Sequence, residues 1–326
     1  MPETAQDILL VTGGAGFIGS HVCEALLAQG HAVRCFDNFS TGKPANIAHL
    51  HGQSGFSLVE ADICDTLQLT AALEGAAAVV HLAALGSVPR SIAFPMESEA
   101  ANLGGFLHLL ECARKLQVHR IVYASSSSVY GDSPVLPKRE GQEGDALSPY
   151  AVTKAMDEVY AALYGRLFGI EAIGLRFFNI FGERQDPKGA YAAAIPKFIG
   201  ALLNHESPVL HGDGRQTRDF TYVGNAVQAV LLALQAPSTC AGEAYNIAYG
   251  ESSDLLSLLD KLRDRLAKID PAVAEVPVRH VAPREGDVRD SLADIGKAVR
   301  VLGYQPRFSM DKGLDRAVAW YAEYLR

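Results

Sequence analysis

The sequence predicts an α/β fold: a doubly wound parallel sheet, followed by a smaller mixed α/β lobe at the carboxyl end. Short apolar runs alternate with helical patterns through the first half of the chain, and the connections between them are short. A glycine-rich turn joins the first apolar run to the first helical pattern, and the alternation stops near residue 178. Parallel strands with helices on both faces show this pattern, which is typical of a Rossmann-type domain.

Hydrophobic periodicity gives the predicted boundaries of each element. The predicted strands are Ile8–Thr12, Ala32–Asp37, Phe56–Ala61, Ala77–Leu82, Arg120–Ala124 and Glu171–Phe177. The helices between them are Phe17–Ala28, Leu67–Leu73, Glu97–Leu116 and Pro149–Phe168. Later helices are predicted at Ala192–Leu203, Val223–Leu234, Asp254–Leu266 and Lys312–Tyr324. We therefore expect two domains, residues 1–178 and 179–326, with part of residues 220–248 returning to the first.

Composition excludes several classes of protein. The 326 residues are 48% hydrophobic and 20% charged, which excludes a disordered, collagenous or coiled-coil chain. The net charge of −8 offers no positive field to nucleic acid or acidic lipid, so an anionic ligand needs a local cluster. Five scattered cysteines without a Cys-x-x-Cys pair favour reduced thiols over disulfides or zinc. We expect a cytoplasmic protein, because we find no signal peptide and no apolar run of about 18 residues.

The strongest local motif is the glycine pattern at the first predicted turn. Gly13, Gly16 and Gly19 lie between a predicted strand and a helix that starts near Phe17. Glycine permits positive φ, close approach of the main chain to a pyrophosphate, and tight packing of helix on strand. The unpaired N–H groups at the start of the helix would meet the phosphates. The alternative is an ordinary tight turn, which this position in a βαβ unit disfavours.

Residues after the next three strands complete a predicted dinucleotide site. Asp37 ends the second strand, where a carboxylate accepts hydrogen bonds from both ribose hydroxyls of adenosine and repels a 2′-phosphate. NAD is therefore favoured over NADP, although a turn or helix-capping Asp is the alternative. The residues that follow the third and fourth strands are Asp62, Ile63, Leu82, Ala83 and Ala84.

A second group of residues has the chemistry of an acid–base site. Tyr150 and Lys154 stand at i and i+4, on one face of a predicted helix, and Ser126 follows the fifth predicted strand. A free phenol is mostly protonated at pH 7, and a nearby ammonium favours the phenolate that could accept a proton from an alcohol. The Tyr-x-x-x-Lys pattern alone is common by chance. It becomes a specific sign of an acid–base site when it follows the glycine motif and a strand that ends in serine.

Seven segments carry a resemblance to a known family. They read TGGAGFIGSH, HLAA, SSSSVYG, SPYAVTK, RFFNIFG, GDGRQTRDF and REGDVRDS, in this order along essentially the whole chain. The chain resembles the extended short-chain dehydrogenase/reductases. More narrowly, it resembles the nucleotide-sugar epimerases that act at C4 of UDP-galactose and UDP-N-acetylglucosamine.

The resemblance implies a tightly held NAD, a UDP-sugar substrate and no metal. Tyr150 would take the proton from the sugar 4-OH while the C4 hydrogen passes to the nicotinamide, and the 4-keto sugar would turn about its diphosphate before it is reduced. Ser126 would polarise the oxygen, and Lys154 would tune Tyr150 and hold the nicotinamide ribose. A homodimer is implied through the helices Glu97–Leu116 and Pro149–Phe168, although packing against the sheet explains the same apolar pattern.

The family's ligand contacts fall on this sequence position by position. The implied cofactor contacts are Gly13, Gly16, Phe17, Ile18, Gly19, Asp37, Asn38, Ser40, Gly42, Asp62, Ile63, Leu82, Ala83, Ala84, Tyr150, Lys154 and either Phe177 or Phe178. The implied substrate contacts are Ser87, Ser126, Asn179, Ala193, Ile195, Lys197, Gly212, Arg218, Arg284, Asp287 and Ser291. Arg218 and Arg284 suit a diphosphate because guanidinium groups pair with it bidentately. The alternative for both is a surface ion pair with Asp219 or Glu285.

Three features narrow the implied reaction. Ser127 and Ser128 stand where related dehydratases carry an Asp-Glu pair, which disfavours loss of water. Asp37 opposes the NADPH that related reductases use. Ser291 is small where relatives that prefer plain hexoses carry Tyr, and the segments 86–91 and 191–196 are similar to the hexosamine-preferring epimerases. We therefore predict interconversion of UDP-GlcNAc and UDP-GalNAc, with their uronic acids as further candidates.

Two alternatives stay open. The first is a UDP-glucuronate or UDP-galactose 4-epimerase, because Arg90, Arg289 and Arg307 could hold a C6 carboxylate. The second is a catalytically idle NAD-sensing binding protein of the same fold. The complete set of Ser126, Tyr150 and Lys154 argues against a sensor, which needs none of the three.

Overall fold

Strands and helices alternate as the sequence predicts in the computed structural model, which describes residues 7–187, 192–282 and 289–325. The strands are β1 (Ile8–Thr12), β2 (Ala32–Asp37), β3 (Phe56–Glu60), β4 (Ala76–His81), β5 (Arg120–Ser126), β6 (Glu171–Phe177), β7 (Ile180–Phe181), β8 (Val209–His211), β9 (Thr217–Arg218), β10 (Thr221–Tyr222), β11 (Glu243–Ile247), β12 (Ser253–Asp254) and β13 (Arg279–Val281). The α-helices are α1 (Phe17–Ala28), α2 (Pro44–Ile47), α3 (Thr66–Leu73), α4 (Val88–Ala93), α5 (Pro95–Glu99), α6 (Gly105–Leu116), α7 (Pro149–Phe168), α8 (Ala194–Leu203), α9 (Val223–Gln235), α10 (Leu255–Leu266), α11 (Gly296–Leu302) and α12 (Met310–Tyr324).

A seven-stranded parallel sheet organises the amino-terminal part of the fold. Its strand order is β11-β6-β5-β4-β1-β2-β3, so the chain reverses direction of winding between β1 and β4. The crevice at such a reversal, beyond the carboxyl ends of the strands, is where ligands bind in open α/β sheets. The predicted doubly wound α/β fold is therefore confirmed.

The edge strand β11 is absent from the predicted strands. It has only five residues and includes the polar Asn246, which is completely buried. The Asn246 side chain accepts a hydrogen bond from the Tyr130 hydroxyl at 2.7 Å and donates to the carbonyls of Lys138 and Asp294, both at 3.0 Å. These partners come from distant parts of the chain, so no local apolar pattern indicates the strand.

Other boundaries differ by a few residues from those predicted. The helix predicted at Glu97–Leu116 starts at Pro95 and contains a π-helical turn, Ala100–Gly104, between α5 and α6. The helix predicted from Ala192 starts at Ala194. The short helices α4 and α11 were not predicted, because each has fewer than eight residues and little periodicity.

Helices cover both faces of the sheet and bury a core on each side. One core contains α1 and α9 residues such as Val22, Leu26 and Val230. The opposite core joins α3, α6 and α7 through Leu69, Phe106 and their neighbours. Thus α9, which comes late in the sequence, packs beneath the same sheet as α1.

A third core forms the smaller lobe. It packs α8, α10 and α12 together with β7 and β10, and its buried side chains include Ile199, Leu262 and Leu314. Two-stranded ladders pair β8 with β13, β9 with β12, and β7 with β10. In the three described ranges, no helix has both the length and the apolar character needed to cross a bilayer.

Candidate active site

The glycine-rich turn after β1 packs tightly against its neighbours. Gly13 has a φ of +68°, and a Cβ there would lie 2.6 Å from the Ala83 nitrogen. A Cβ at Gly19 would lie 2.1 Å from the Gly13 carbonyl oxygen. Only glycine fits at either position. Helix α1 begins directly at this turn, with Gly16 as the N-cap, and no side chain caps the helix. The arrangement is a cradle for a pyrophosphate at a helix N-terminus.

Asp37 stands at the carboxyl end of β2, beside this turn. Its Oδ2 accepts a hydrogen bond from the Ala15 N–H at 2.9 Å and its Oδ1 accepts one from the Phe39 N–H at 2.8 Å. Burial raises the pKa of the carboxyl above its usual value, and these N–H donors partly offset that rise. A Cβ at Gly42 would lie 2.7 Å from Oδ1. The main chain thus fixes the carboxylate at the rim of the crevice, where a ribose would lie.

A pocket lies beyond the carboxyl ends of β1 to β4. Ten of its lining residues were predicted as cofactor contacts: Gly13, Gly16, Asp37, Asn38, Ser40, Asp62, Ile63, Leu82, Ala83 and Ala84. Five further lining residues were not predicted: Phe36, Thr41, Ala61, Leu85 and Ala101. Most of these residues adjoin a predicted one, so their position at the ends of the strands could have indicated them. The predicted contacts Phe17, Ile18 and Gly19 lie in the first turn of α1, next to the pocket.

The π-helical turn supplies one wall of this pocket. Ala101 lines it, and the neighbouring Asn102 is completely buried. Asn102 Oδ1 accepts a hydrogen bond from the Leu85 N–H at 2.7 Å, and its Nδ2 donates to Thr153 Oγ1 at 3.3 Å. Asn102 therefore joins the loop after β4 to the helix that carries Tyr150. Sequence reasoning gave no sign of this link.

The three predicted catalytic residues come from β5 and from the start of α7, which packs on β5. Ser126 is the last residue of β5, and its Oγ accepts a hydrogen bond from the Ser128 hydroxyl at 2.9 Å. Tyr150 is the second residue of α7 and is half-buried, and its N–H donates to Ser91 Oγ at 3.0 Å. Lys154, one turn further on, is almost completely buried. The helix spacing thus holds the phenol at the helix start and the ammonium behind it.

The surroundings of Lys154 are strongly polarised. Its Nζ donates to the Ala124 carbonyl at 2.9 Å and lies 3.1 Å from Oδ2 of Asp157. Burial lowers the pKa of Lys154, but Asp157, and to a smaller extent Tyr150 and Glu158, raise it, so that the pKa lies above its usual value. Burial, with a smaller effect of Lys154, lowers the pKa of His81 at the end of β4 to about 3, so this imidazole is neutral.

A second, larger cavity lies between β7, α8 and β9. Five of its lining residues were predicted as substrate contacts: Asn179, Ala193, Ile195, Lys197 and Arg218. Polar lining residues that were not predicted are Gln185, Glu206, Ser207, His211 and Gln216. His211 and Gln216 flank or belong to the GDGRQTRDF segment, which could have indicated them. Lys197 and Arg218 lie in a cavity whose lining is partly polar and partly apolar, which suits a ligand with an anionic centre and an uncharged ring.

Of the other predicted substrate contacts, Gly212 and Ser291 adjoin residues that line this cavity. Gly212 follows His211 with a φ of +74°. The Ser291 N–H donates to the Thr217 carbonyl at 3.1 Å, which places Ser291 beside Arg218 on β9. Ser87 caps α4, with its Oγ accepting from the Arg90 N–H at 3.1 Å. Arg284 and Asp287 lie outside the described residues.

The surroundings of Phe178 and Asp219 differ from the expectations. Phe178 is completely buried, with its ring centroid 6.0 Å from that of Tyr130, so it presents no surface to a nicotinamide. The Asp219 carboxylate, expected as a possible surface partner of Arg218, is also completely buried. It accepts hydrogen bonds from the main-chain N–H groups of Tyr249, Gly250 and Ala293. Asp219 therefore connects the segment after β9 with the segments around residues 249–250 and 293.

A glycine turn and an acidic strand end at the carboxyl edge of a doubly wound sheet are typical of a dinucleotide-binding α/β protein. The model of the NAD dependent epimerase/dehydratase family matches residues 9–248. The chain is 38% identical over 315 residues to a putative UDP-glucose 4-epimerase of Methanocaldococcus jannaschii, covering 96% of this chain and 98% of that protein.

Two solved structures are similar over nearly their whole length. A UDP-N-acetylglucosamine 4-epimerase of Methanobrevibacter ruminantium, in complex with UDP-N-acetylmuramic acid, has a TM-score of 0.91 and 35% identity and covers 98% of this chain and 99% of its own. A UDP-glucuronic acid 4-epimerase of Bacillus cereus, in complex with UDP-glucuronic acid and NAD, has a TM-score of 0.88 and 31% identity. The match covers 97% of this chain and 99% of that one.

The chain belongs to the NAD-dependent epimerase/dehydratase family. The prediction of an NAD-dependent UDP-sugar 4-epimerase is confirmed at this level. The turn at Gly13 and the carboxylate of Asp37 fit NAD, because the turn leads into a helix N-terminus that no side chain caps and the carboxylate disfavours a 2′-phosphate.

Proposed function

We propose that this protein interconverts UDP-N-acetylglucosamine and UDP-N-acetylgalactosamine. The observation that carries the choice of sugar is the small Ser291, held beside Arg218 by the hydrogen bond to Thr217. A hydroxymethyl side chain leaves space next to β9 that a Tyr would fill. The similarity to a UDP-N-acetylglucosamine 4-epimerase supports the same choice.

In the proposed reaction, the protein's side chains move one proton and hold the sugar. Tyr150, as phenolate, accepts the proton of the 4-OH and later returns it to the 4-keto oxygen. Ser126 donates a hydrogen bond to that oxygen, since its own Oγ already accepts from Ser128. Lys154 stabilises the phenolate from behind. NAD, when bound, supplies the two-electron oxidation of C4 and its reversal on the other face.

The second cavity would hold the nucleoside diphosphate. Lys197 and Arg218 both line it, and charge-assisted hydrogen bonds to phosphate oxygens are the strongest that these side chains form. The diphosphate then remains anchored while the 4-keto sugar turns about it. The apolar Ile195, Phe198 and Phe220 offer surfaces against which a uracil could pack.

A substrate panel tests this proposal. Purified enzyme is incubated separately with UDP-GlcNAc, UDP-Glc and UDP-GlcA, and the products are separated by C4 configuration. We expect the highest kcat/KM for UDP-GlcNAc. A higher value for either of the other two sugars would contradict the proposal while leaving UDP-sugar 4-epimerisation intact.

Ser291→Tyr tests the contact itself. The phenol should fill the space for the N-acetyl group, so kcat/KM for UDP-GlcNAc should fall by about 10-fold or more while that for UDP-Glc stays within about threefold. Ser238→Tyr, at an exposed position, is the matched control and should change neither value. Equal losses on both sugars would show that Ser291 does not face C2.

UDP-glucuronate is the second candidate substrate. The Arg218 guanidinium donates to the carbonyl of Arg289 at 3.1 Å, which places a further arginine next to the proposed sugar site. A guanidinium there could pair with a C6 carboxylate. The UDP-glucuronic acid 4-epimerase among the similar structures supports including this substrate in the panel.

We also propose that the enzyme is a homodimer through α7 and the α4–α5 segment. Val152, Met156 and Val159 lie at helical spacing on α7 and are 48%, 38% and 59% exposed. Ile92 and Met96 are exposed on α4 and α5, which contact α7. A contiguous apolar strip of this kind is typical of a protein interface, and a second copy would bury it.

A reducing, cytoplasmic environment fits the cysteines. All five are free, and four of them are buried among apolar side chains. Burial raises the pKa of the exposed Cys64 to about 11, so its thiol is poorly reactive. We therefore propose that no disulfide contributes to the stability of this enzyme.

A further inference from the structure

Lys154 takes part in a buried ion pair that the sequence analysis did not single out. Asp157, three residues further along α7, is completely buried, and its Oδ2 lies 3.1 Å from Lys154 Nζ. Its Oδ1 has no hydrogen-bond partner among the residues that the structure describes. The carboxylate is thus committed to the ammonium alone.

Among the described residues, four other titratable groups surround this pair, and two of them, Tyr150 and Glu158, also raise the pKa of Lys154, each less than Asp157 does. Glu158, the next residue of α7, binds the Arg176 guanidinium of β6 at 2.8 and 2.7 Å. His81 of β4 is neutral, as described above. Burial raises the pKa of Tyr123 of β5 well above its usual value, so this phenol is also neutral. Asp157 is therefore the carboxylate that contacts Lys154 directly, on the same helix as Tyr150.

A buried ammonium keeps its proton only where an anion replaces the lost hydration. Burial raises the pKa of Asp157 to about 6, although Lys154 pulls it down, so the carboxylate is ionised above that pH. Both partners are therefore charged at neutral pH. Without the Asp157 carboxylate, burial would be opposed only by Tyr150 and Glu158, so the pKa of Lys154 would fall and the uncharged amine would be favoured.

We propose that Asp157 is a positioning residue that keeps Lys154 protonated and fixes its ammonium at the end of β5. Asp157 and the Ala124 carbonyl take two of the three ammonium protons, which leaves one for a ligand hydroxyl. Asp157 acts on the reaction only through Lys154. The inference rests on the roles proposed above for Tyr150 and Lys154.

Asp157→Asn tests this with a readout that does not depend on activity. The amide keeps the shape of the side chain and removes its charge. Lys154 in the variant should then titrate below its unfolded-state value of about 10.4, so the unfolded chain binds more protons than the folded one. The free energy of unfolding of the variant should therefore rise relative to wild type between about pH 8 and pH 10. Calorimetry of the holoenzymes should show a Tm deficit that shrinks over this range.

Glu171→Gln is the matched control. It breaks the 2.6 Å ion pair between Glu171 and Arg120 at the opposite end of β5 and β6. A carboxylate and a guanidinium keep their charges between about pH 8 and pH 10, so the Tm deficit of Glu171→Gln should stay constant. A constant deficit in Asp157→Asn as well would overturn the proposal.

The pH dependence of kcat gives the second readout. The alkaline limb should move to lower pH by about one unit or more in Asp157→Asn, with KM for the UDP-sugar within about twofold of wild type. If the alkaline limb does not move, the role proposed for Asp157 is wrong, while the proposed function is unaffected. Retained turnover in Tyr150→Phe would instead contradict the proposed roles.

Asp157→Glu keeps the proposal testable if the Asn variant does not fold. The longer carboxylate restores the charge, so the alkaline limb should return to within about half a unit of wild type. A limb that stays shifted in Asp157→Glu would contradict the electrostatic role.

Discussion

At the scale of single residues, the site depends on side chains whose charge state is set by their neighbours. Asp37 is held by main-chain N–H groups, Lys154 by a buried carboxylate, and His81 is kept neutral by burial. Each is a polar side chain at the carboxyl end of a strand or on the helix that packs against the sheet. The chemistry of the crevice therefore follows from a few contacts that can be altered one at a time.

Tyr150→Phe removes the proposed proton acceptor and leaves the ring. We expect kcat to fall by about 10²- to 10⁴-fold, because general acid–base catalysis contributes that much, while bound NAD is retained. Turnover is followed by the C4 configuration of the product, and NAD by its release on denaturation. Tyr160→Phe, further along α7, should keep wild-type turnover; a similar loss there would point to a structural effect.

Asp37→Ala removes the proposed ribose acceptor. NAD affinity should fall by about 10- to 100-fold, since hydrogen bonds to a charged group are worth about 1.5–3 kcal/mol, and NADP should lose less. Titration calorimetry with both cofactors measures the ratio. Asp65→Ala, which removes the cap of α3, should lower stability without changing the ratio. An unchanged NAD-to-NADP preference in Asp37→Ala would show that the ribose is bound elsewhere.

At the scale of elements, two strand–helix connections carry the function. The turn between β1 and α1 is closed by contacts that only glycine permits, and α7 presents Tyr150, Lys154 and Asp157 at i, i+4 and i+7. The π-helical turn before α6 adds Asn102, which links the β4 loop to α7. Small errors in the backbone of these elements would misplace several functional groups together.

Gly19→Ala tests the closed turn. Its Cβ would lie 2.1 Å from the Gly13 oxygen, so the turn or the helix must shift, and we expect a loss of about 1–3 kcal/mol in the free energy of unfolding together with weaker NAD binding. Chemical denaturation and calorimetry measure both. At Gly104 the nearest atom to an added Cβ is 3.8 Å away, so Gly104→Ala should cost nothing. Wild-type stability in Gly19→Ala would mean that the turn relaxes freely.

At the scale of the whole molecule, the parallel sheet brings distant segments to one edge. The ends of β1 to β4 line the cofactor pocket, the end of β5 provides Ser126, and the segment after β6 reaches the second cavity through Asn179. The smaller lobe closes over this edge with its own core. Catalysis at a single carbon thus depends on the relative placement of two separately packed cores.

Val159→Glu tests the proposed dimer. A carboxylate in the middle of the apolar strip of α7 would be desolvated in the interface, so the variant should sediment as a monomer at concentrations where the wild type is a dimer. Analytical ultracentrifugation measures this. Leu67→Glu, on α3 and 83% exposed outside the strip, is the control and should leave the assembly unchanged. A monomeric wild type would contradict the dimer directly.

The sequence by itself determined the elements that rest on local patterns. These patterns are the glycine spacing, the apolar runs of β1 to β6, and the Tyr150–Lys154 pair on one helix face. Each depends on residues that are close in the chain, so each can be recognised without knowledge of the tertiary structure. Most residues that line the cofactor pocket were predicted for this reason. The glycine spacing and Asp37 already favoured NAD, and the resemblance added the reaction class; the comparisons confirmed both.

Only the tertiary structure decided the contacts between segments distant in sequence. The edge strand β11 is held by Asn246, Phe178 is buried against Tyr130, and Asp219 connects loops that lie far apart in the chain. Lys154 and Asp157 are neighbours in the helix, yet only packing against β5 excludes water from them and makes their charges interdependent. Burial depends on the whole fold, and burial decides which polar groups are charged.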